Sequence, residues 1–555
     1  MKKHLLIFSI LCLSVNMATA QSALWANNAG GEGNERGEDI IIDENGNVYT
    51  VGFFQGSADF DPGSGIEELV AENSTDVFIQ KLDANGDFVW AKKIGGTAFD
   101  SPTGLEIDGE GNLYVCGFFS GTVDFDPNDG ITEVASAGGS DGFLLKLDAD
   151  GNFIRVKTIA GAGTGDISGM TIDADNNVYL VGSFDGTADF DPSESSEVNF
   201  TSVADEDLFV QKLDRDGNYM WAITAGGPSS DIALGIVPDA NGNTYVTGYF
   251  YEMLSFGAGT VSLTSAGAAD VFVFKLDGAG NVQWAKPMGG ANFDFAFAID
   301  SDDDANTYVT GSFKGEATFG TEVFSSNDGS DDIFVQKIDT DGNVVWAKPI
   351  GGMGMDQAHD LAVDPSGKLY LTGMFEETVD FDPNEGVEER TSTGSRDIFV
   401  LRLDTGGNYV WANTMGSASE DRGRGIAVSS EGTVSVTGSF NASVDFGIND
   451  EENILTSNGN RDFFVLTLNG FLTSTENAAY YELTVYPNPV QEFVVVTANT
   501  PIDALVLTNV VGQTILEAKV GSTSKELDLS QLIPGIYYLT ISVDGKMSTT
   551  TIVKN

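Results

Sequence analysis

A glycine-centred string returns seven times along the chain, at intervals of about 65 residues: "NVYTVGFF", "NLYVCGFF", "NVYLVGSF", "NTYVTGYF", "NTYVTGSF", "KLYLTGMF" and "TVSVTGSF". Its glycines are Gly52, Gly117, Gly182, Gly248, Gly311, Gly373 and Gly438. A unit that recurs in phase cannot bury its apolar face alone, so neighbouring copies must stack. Phenylalanine marks every copy at three points. It stands two residues after the glycine (Phe54 to Phe440), six residues later (Phe60 to Phe446), and within strings such as "DVFIQKLD" and "DIFVQKID". An aromatic held at one point of every copy indicates core packing. Trp25, Trp90, Trp221, Trp284, Trp346 and Trp411 also share one motif position, which Arg155 fills in the remaining copy.

Each unit carries about four strand signals and no helical periodicity. In the second they are "GLEID", "NLYVCGF", "GFLLKLD" and "NFIRVKTI", separated by turns such as "DGEGN" and "DADGN". The third strand is almost wholly apolar, which predicts a sheet covered on both faces. Four-stranded sheets repeated in this way stack as blades around an axis. The seventh unit stops after "DFFVLTLN" without its W-A-x-x-x-G-G strand, and "LWANNAGG" near the N-terminus supplies it. The predicted fold is all-β: a seven-bladed β-propeller over residues 21–469, closed by pairing residues 23–29 with 462–468. Such closure also protects strand edges that would recruit other chains.

The unit resembles the SBBP-type β-propeller repeat of secreted bacterial proteins, with D-G-N-x-Y-V-T-G-x-F, D-x-F-V-x-K-L-D and W-A-x-x-x-G-G in that order. The resemblance implies a fold and an extracellular setting, and no reaction. Beyond it, "NGFLTSTENAAY" reads as a linker over 470–481. Short strand signals from 482 to 555 suit a small Ig-like β-sandwich. The words "VYPNPV", "NVVGQTIL" and "LDLSQLIPGIYYLTI" resemble the type A C-terminal sorting domain of the type IX secretion system. That resemblance implies contact with the secretion machinery through 482–555 and delivery to the surface or medium.

Residues 1–20 read as a signal peptide: Lys2 and Lys3, the apolar "LLIFSILCL", then "ATA" before the cleavage point. No segment is long and apolar enough to be expected to span a bilayer. Lys and Arg number 27 against 83 Asp and Glu, a net charge of −56. Such a surface repels nucleic acid and anionic lipid. Past the signal, Cys116 and His359 are the only cysteine and histidine, which leaves no intramolecular disulfide and argues against zinc and histidine acid–base chemistry.

The acidic motifs admit two readings each. "DFDP" occurs four times, as Asp59/Asp61, Asp124/Asp126, Asp189/Asp191 and Asp380/Asp382. It is a proline-stiffened turn or a calcium site, and units lacking it favour the turn. The "DxDGN" strings lack an EF-hand glutamate and read as hairpin turns. Glu35, Asp100, Asp166, Asp231, Asp294, Asp356 and Asp421 stand near the start of each first strand. They ring a channel mouth or bond the backbone of the preceding glycine turn, the latter preferred. Residues that break the repeat are the better ligand candidates: Arg36, His359, Arg422 and Arg424, on the first strands of units one, six and seven. No nucleophile–base grouping, P-loop or cofactor motif is visible. The expectation is a monomeric binding or structural module for an extracellular glycan or protein, without cofactor. The alternative is a secreted carbohydrate-active enzyme using propeller carboxylates.

Overall fold

Four consecutive antiparallel strands make each of the first six units. In the second they are Asp100–Ile107, Leu113–Phe119, Asp141–Leu147 and Phe153–Gly161, each paired with the next. The computed structural model describes residues 23–470 apart from 194, 258–260 and 449–451. Toward the C-terminus it describes 484–554 apart from 487–488, 510–513, 534 and 544–545. The signal segment 1–20 and linker residues 471–481 lie outside the described residues. The protein is all-β: its one helical turn among the described residues is the 3-10 segment Asn327–Gly329.

The seventh unit has three strands of its own, Arg422–Val428, Thr433–Phe440 and Asp462–Asn469. Ala23–Gly31 lies antiparallel to the last of these, Ala23 opposite Leu468 and Ala29 opposite Phe463, which is the pairing expected from "LWANNAGG". The same strand then reaches the first unit: Gly30 and Gly31 pair with Asp59 and Ala58, and Trp25 Nε1 donates to Ala84 O at 3.1 Å. This tryptophan hook recurs from Trp221 to Gly278 O, Trp284 to Thr340 O and Trp346 to Thr405 O. Arg155 keeps the hook where tryptophan is missing, its guanidinium donating to Arg215 O.

First strands of consecutive units are neighbours throughout, and Arg36–Ile42 also neighbours Arg422–Val428. The repeated glycine follows from this packing. A Cβ at Gly52 would overlap the carbonyl oxygen of Arg36 and the Phe78 ring, and one at Gly117 would overlap Ser101 O. Only glycine lets the second strand approach the first so closely. The phenylalanines fill the space between units: Phe54, Phe60 and Phe78 are buried, with Phe54–Phe60 edge to face at 5.2 Å.

The sequence did not reveal an outer hairpin between second and third strands. It is separate in unit two (Thr122–Asp124, Glu133–Ala135) and merged into longer strands in unit one (Val48–Asp59, Glu68–Leu82). Its first strand pairs with the Gly-Gly end of the preceding unit, as Gly95 opposite Asp124. Gly470, expected in the linker, donates to Gly432 O and accepts from Arg402, so it belongs with the repeats.

In the C-terminal region, Thr484–Tyr486, Phe493–Asn509, Thr514–Asp528, Gly535–Val543 and Lys546–Lys554 form one hydrogen-bonded antiparallel sheet. Three of these strands, Thr484–Tyr486, Thr514–Asp528 and Gly535–Val543, pair with the long strand Phe493–Asn509. Its register shifts between Thr497 and Ile502, a stretch containing Pro501, which has no N–H to donate. Val494, Val496, Leu505, Leu507, Leu539 and Ile552 form its core.

Candidate functional site: a cavity among the first strands

Every first strand bulges at the same place. The register slips between Gly37 and Asp39, Pro102 and Gly104, Ile167 and Gly169, and at matching points of the other four units. A bulge leaves one residue out of the ladder and re-aims its side chain. The seven residues left out are Glu38, Thr103, Ser168, Leu234, Phe297, His359 and Arg424, and all seven line one cavity of about 200 Å³. The repeat thus presents to a shared space a position at which no residue type recurs. His359 and Arg424 were legible as candidates, whereas Glu38, Thr103, Ser168, Leu234 and Phe297 were not. Aligning the units and asking where no residue type recurs would have found them.

The walls differ. Units three to five contribute Met170, Leu234, Ile236, Phe297 and Ile299; units six, seven and one contribute His359, Asp360, Arg424, Glu38 and Asp39. Asp39 accepts from Leu105 N at 2.7 Å and Asp360 from Ile426 N at 2.8 Å, so each carboxylate ties its strand to the next unit. Burial raises Asp39 to about 6 and Asp360 well above the usual carboxylate range. His359 is bonded to Gly423 O at 2.7 Å, which makes Nδ1 the donor. Burial, helped by Arg424, lowers its pKa to about 3, so the ring is neutral. Arg424 is itself lowered to about 10 by burial, and its Nε has no hydrogen-bond partner.

Arg36 and Arg422 stand two residues earlier. Arg36 pairs with Glu38 and lies 4.8 Å over the Phe53 ring, while Arg422 pairs with Glu420. Glu420 also holds Arg396 at 2.7 Å and Arg461 at 3.2 Å. Five of the nine arginines therefore meet at the junction of units six, seven and one. On unit five, Phe293, Phe295 and Phe297 stack in sequence, and Phe297 meets His359 edge to face at 6.0 Å.

The repeated acids serve the backbone. Glu35 accepts from Gly31 N, Asp100 from Gly96 N, Asp294 from Gly290 N and Asp356 from Gly352 N, at 2.7 to 3.0 Å. One member of this series needs correcting. Gly165, opposite Phe184, occupies the place that Asp100, opposite Phe119, holds in unit two. Asp166 stands one residue later and accepts from Ser140 Oγ, because "TGDISG" carries its acid one position late.

Burial, with a second aspartate across each junction, raises these acids: to about 7 at Asp100, beside Asp76, and to about 8 at Asp231 and Asp356, beside Asp207 and Asp332. A raised acid binds protons more tightly in the folded state, so its stabilisation is lost as pH climbs through the folded value. The turn aspartates Asp83, Asp148, Asp277 and Asp339 are lowered, chiefly by backbone hydrogen bonds at Asp83 and Asp277, and their stabilisation is lost in strong acid. The melting temperature should therefore peak near about pH 4–5 and fall steadily toward about pH 8. Asp231→Asn should flatten that slope; a melting temperature rising from pH 5 to 8 would contradict the assignment.

The "DFDP" carboxylates are also engaged. Asp124 Oδ1 accepts from Asp126 N at 3.1 Å and Thr132 N at 2.8 Å, and Asp126 Oδ1 from Asn128 N at 3.1 Å. Asp59, Asp189 and Asp380 repeat the pattern, while Asp61, Asp191 and Asp382 cap the next residues of the turn. Calcium should raise the melting temperature only slightly, by screening that sodium reproduces at higher concentration. A saturable rise at micromolar calcium, lost in Asp124→Asn/Asp126→Asn, would establish a metal site instead.

Residues 484–555 match the secretion system C-terminal sorting domain. That domain marks the chain for the type IX secretion system and for export to the cell surface or extracellular space. No helix among the described residues is long and apolar enough to cross a membrane. An uncharacterized WD repeat-containing protein of Acanthamoeba polyphaga mimivirus is 22% identical over 509 residues, covering 77% of this chain and 36% of that protein. The regulatory protein FlaEY of Caulobacter vibrioides is 25% identical over 416 residues, covering 69% and 41%. The chain thus spans well under half the length of these curated relatives. Among solved structures, PorZ, a surface component of the type IX secretion system of Porphyromonas gingivalis, is 10% identical at a TM-score of 0.25. It covers 96% of this chain and 100% of PorZ. Sqt1 of Chaetomium thermophilum is 10% identical at a TM-score of 0.38, over 80% and 98%.

Proposed function

We propose that the chain is a surface or secreted binding module, built as a seven-bladed SBBP-type propeller over 21–469. A signal peptide at 1–20 takes it across the inner membrane, and the sorting domain at 482–555, a small sandwich, takes it outward. The propeller reading is supported by the fourth strand that Ala23–Gly31 adds to the seventh unit and by the neighbouring of first and last first strands. One observation carries the binding reading: seven structurally equivalent bulge residues, no two of the same type, line one cavity. A scaffold position with no common residue type is free to be shaped by a ligand.

Five of the seven first-strand acids, Glu35, Asp100, Asp294, Asp356 and Asp421, accept from backbone amides, which favours binding over glycoside hydrolysis. Incubating the full chain on a glycan array, beside a hydrolysis screen on the same sugars, tests this. Binding without product supports the module, and turnover would replace it with an enzyme.

A further inference from the structure

Among the residues lining this cavity, Arg424 alone has a buried side-chain atom, Nε, without a hydrogen-bond partner. A buried charge left in that state is costly. The surrounding anions are already committed. Glu38 is hydrogen-bonded to Arg36 and shares its charge between Arg36 and Arg424, while Asp39 and Asp360 accept from the amides of Leu105 and Ile426. Opposite stands an apolar wall that includes Met170, Leu234 and Phe297. A space of about 200 Å³ is smaller than the ~300 Å³ at which drug-sized sites begin. The chain's charge of −56 repels extended polyanions at long range, which leaves a single anionic group as the fitting partner.

We propose that this cavity binds a small carboxylate carried on an apolar body, the carboxylate meeting Arg424 and the body lying against Phe297 and Leu234. The inference rests on the binding-module reading and names the chemistry of its ligand. A charge-assisted pair to a guanidinium inside a cavity is stronger than the same pair in water. The apolar wall adds affinity in proportion to the area it covers. A bare inorganic anion would use only half the site.

Calorimetric titration of the full chain with hexanoate and phenylacetate tests this, with hexanamide and inorganic phosphate alongside. Both acids should bind saturably at one site, and hexanamide should bind about tenfold or more weaker. Arg424→Gln should weaken the acids by a similar factor and leave the amide unchanged, while Arg424→Lys retains part of the acid preference. Phe297→Ala should weaken both acids and the amide. Arg424 Nε has no hydrogen-bond partner and Glu38 keeps its pair with Arg36, so the melting temperature of Arg424→Gln should change little, and lost binding is then not lost folding.

Equal affinity for acid and amide, phosphate binding as tight as hexanoate, or no acid binding at all would overturn the proposal. If the acids fail while the glycan array reveals another ligand, this inference alone falls. If both are silent, the binding reading falls with it.

Discussion

A chain truncated before Glu482 is expected to accumulate folded in the periplasm, with almost none reaching the surface or medium. The segment removed is the one that matches the sorting domain. The cores of the seven units are filled by their own residues, such as Phe78 and Phe463 at the junction of units seven and one, 4.4 Å apart. Removing the sorting domain therefore changes the address and not the fold, and the melting temperature of the repeat region should be preserved. Conversely, residues 470–555 fused to an unrelated periplasm-exported reporter should carry it outward in a host with the type IX machinery. Fractionation with and without a working translocon measures both. Surface delivery of the truncated chain, or retention of the fusion, would contradict the assignment.

Deleting residues 23–31 should cause the largest loss of stability of any short deletion. It strips a full ladder from Asp462–Asn469 and uncovers the edge beside Phe463 and Val465, both buried in the intact protein. It also removes the Trp25 hook to Ala84 and the pairing of Gly30 and Gly31 with the first unit. Together these represent roughly 5 kcal/mol or more of burial and hydrogen bonding, and the melting temperature should fall by roughly 10 °C. The exposed edge should promote association, visible as light scattering on mild heating. An unchanged melting temperature would mean that the strand is an appendage.

What the sequence made legible is what repetition amplifies. The strands, the Asp-initiated hairpins and the N-terminal strand that completes the seventh unit all followed from a period of about 65 residues. The bonds to turn amides were anticipated because Asp and Asn at fixed offsets carry their own geometry: Asp43 Oδ1 accepts from Asn45 N at 2.8 Å and Asn47 N at 2.9 Å.

The cavity was not legible because a bulge has no residue signature in these strands. Period-two alternation across Gly37–Asp39 mis-assigns Glu38, which the slipped register sends inward. Phe297 was hidden for a second reason, since in a chain with 36 phenylalanines one more reads as core. Arg36, His359, Arg422 and Arg424 stood out because they break the repeat. The one-residue slip of Asp166 shows the limit of counting from a motif, for only pairing to the second strand fixes a register.

Hydrogen exchange read by mass spectrometry on the mature, unmodified protein tests the architecture most directly. If Ala23–Gly31 completes the seventh unit, its ladder amides exchange as slowly as those of Asp462–Asn469, since neither can open without separating the same pair. Slow, matched exchange in the two segments is the result the architecture requires. Exchange of residues 23–31 at the rate of a free N-terminal tail, with 462–469 protected, would contradict it.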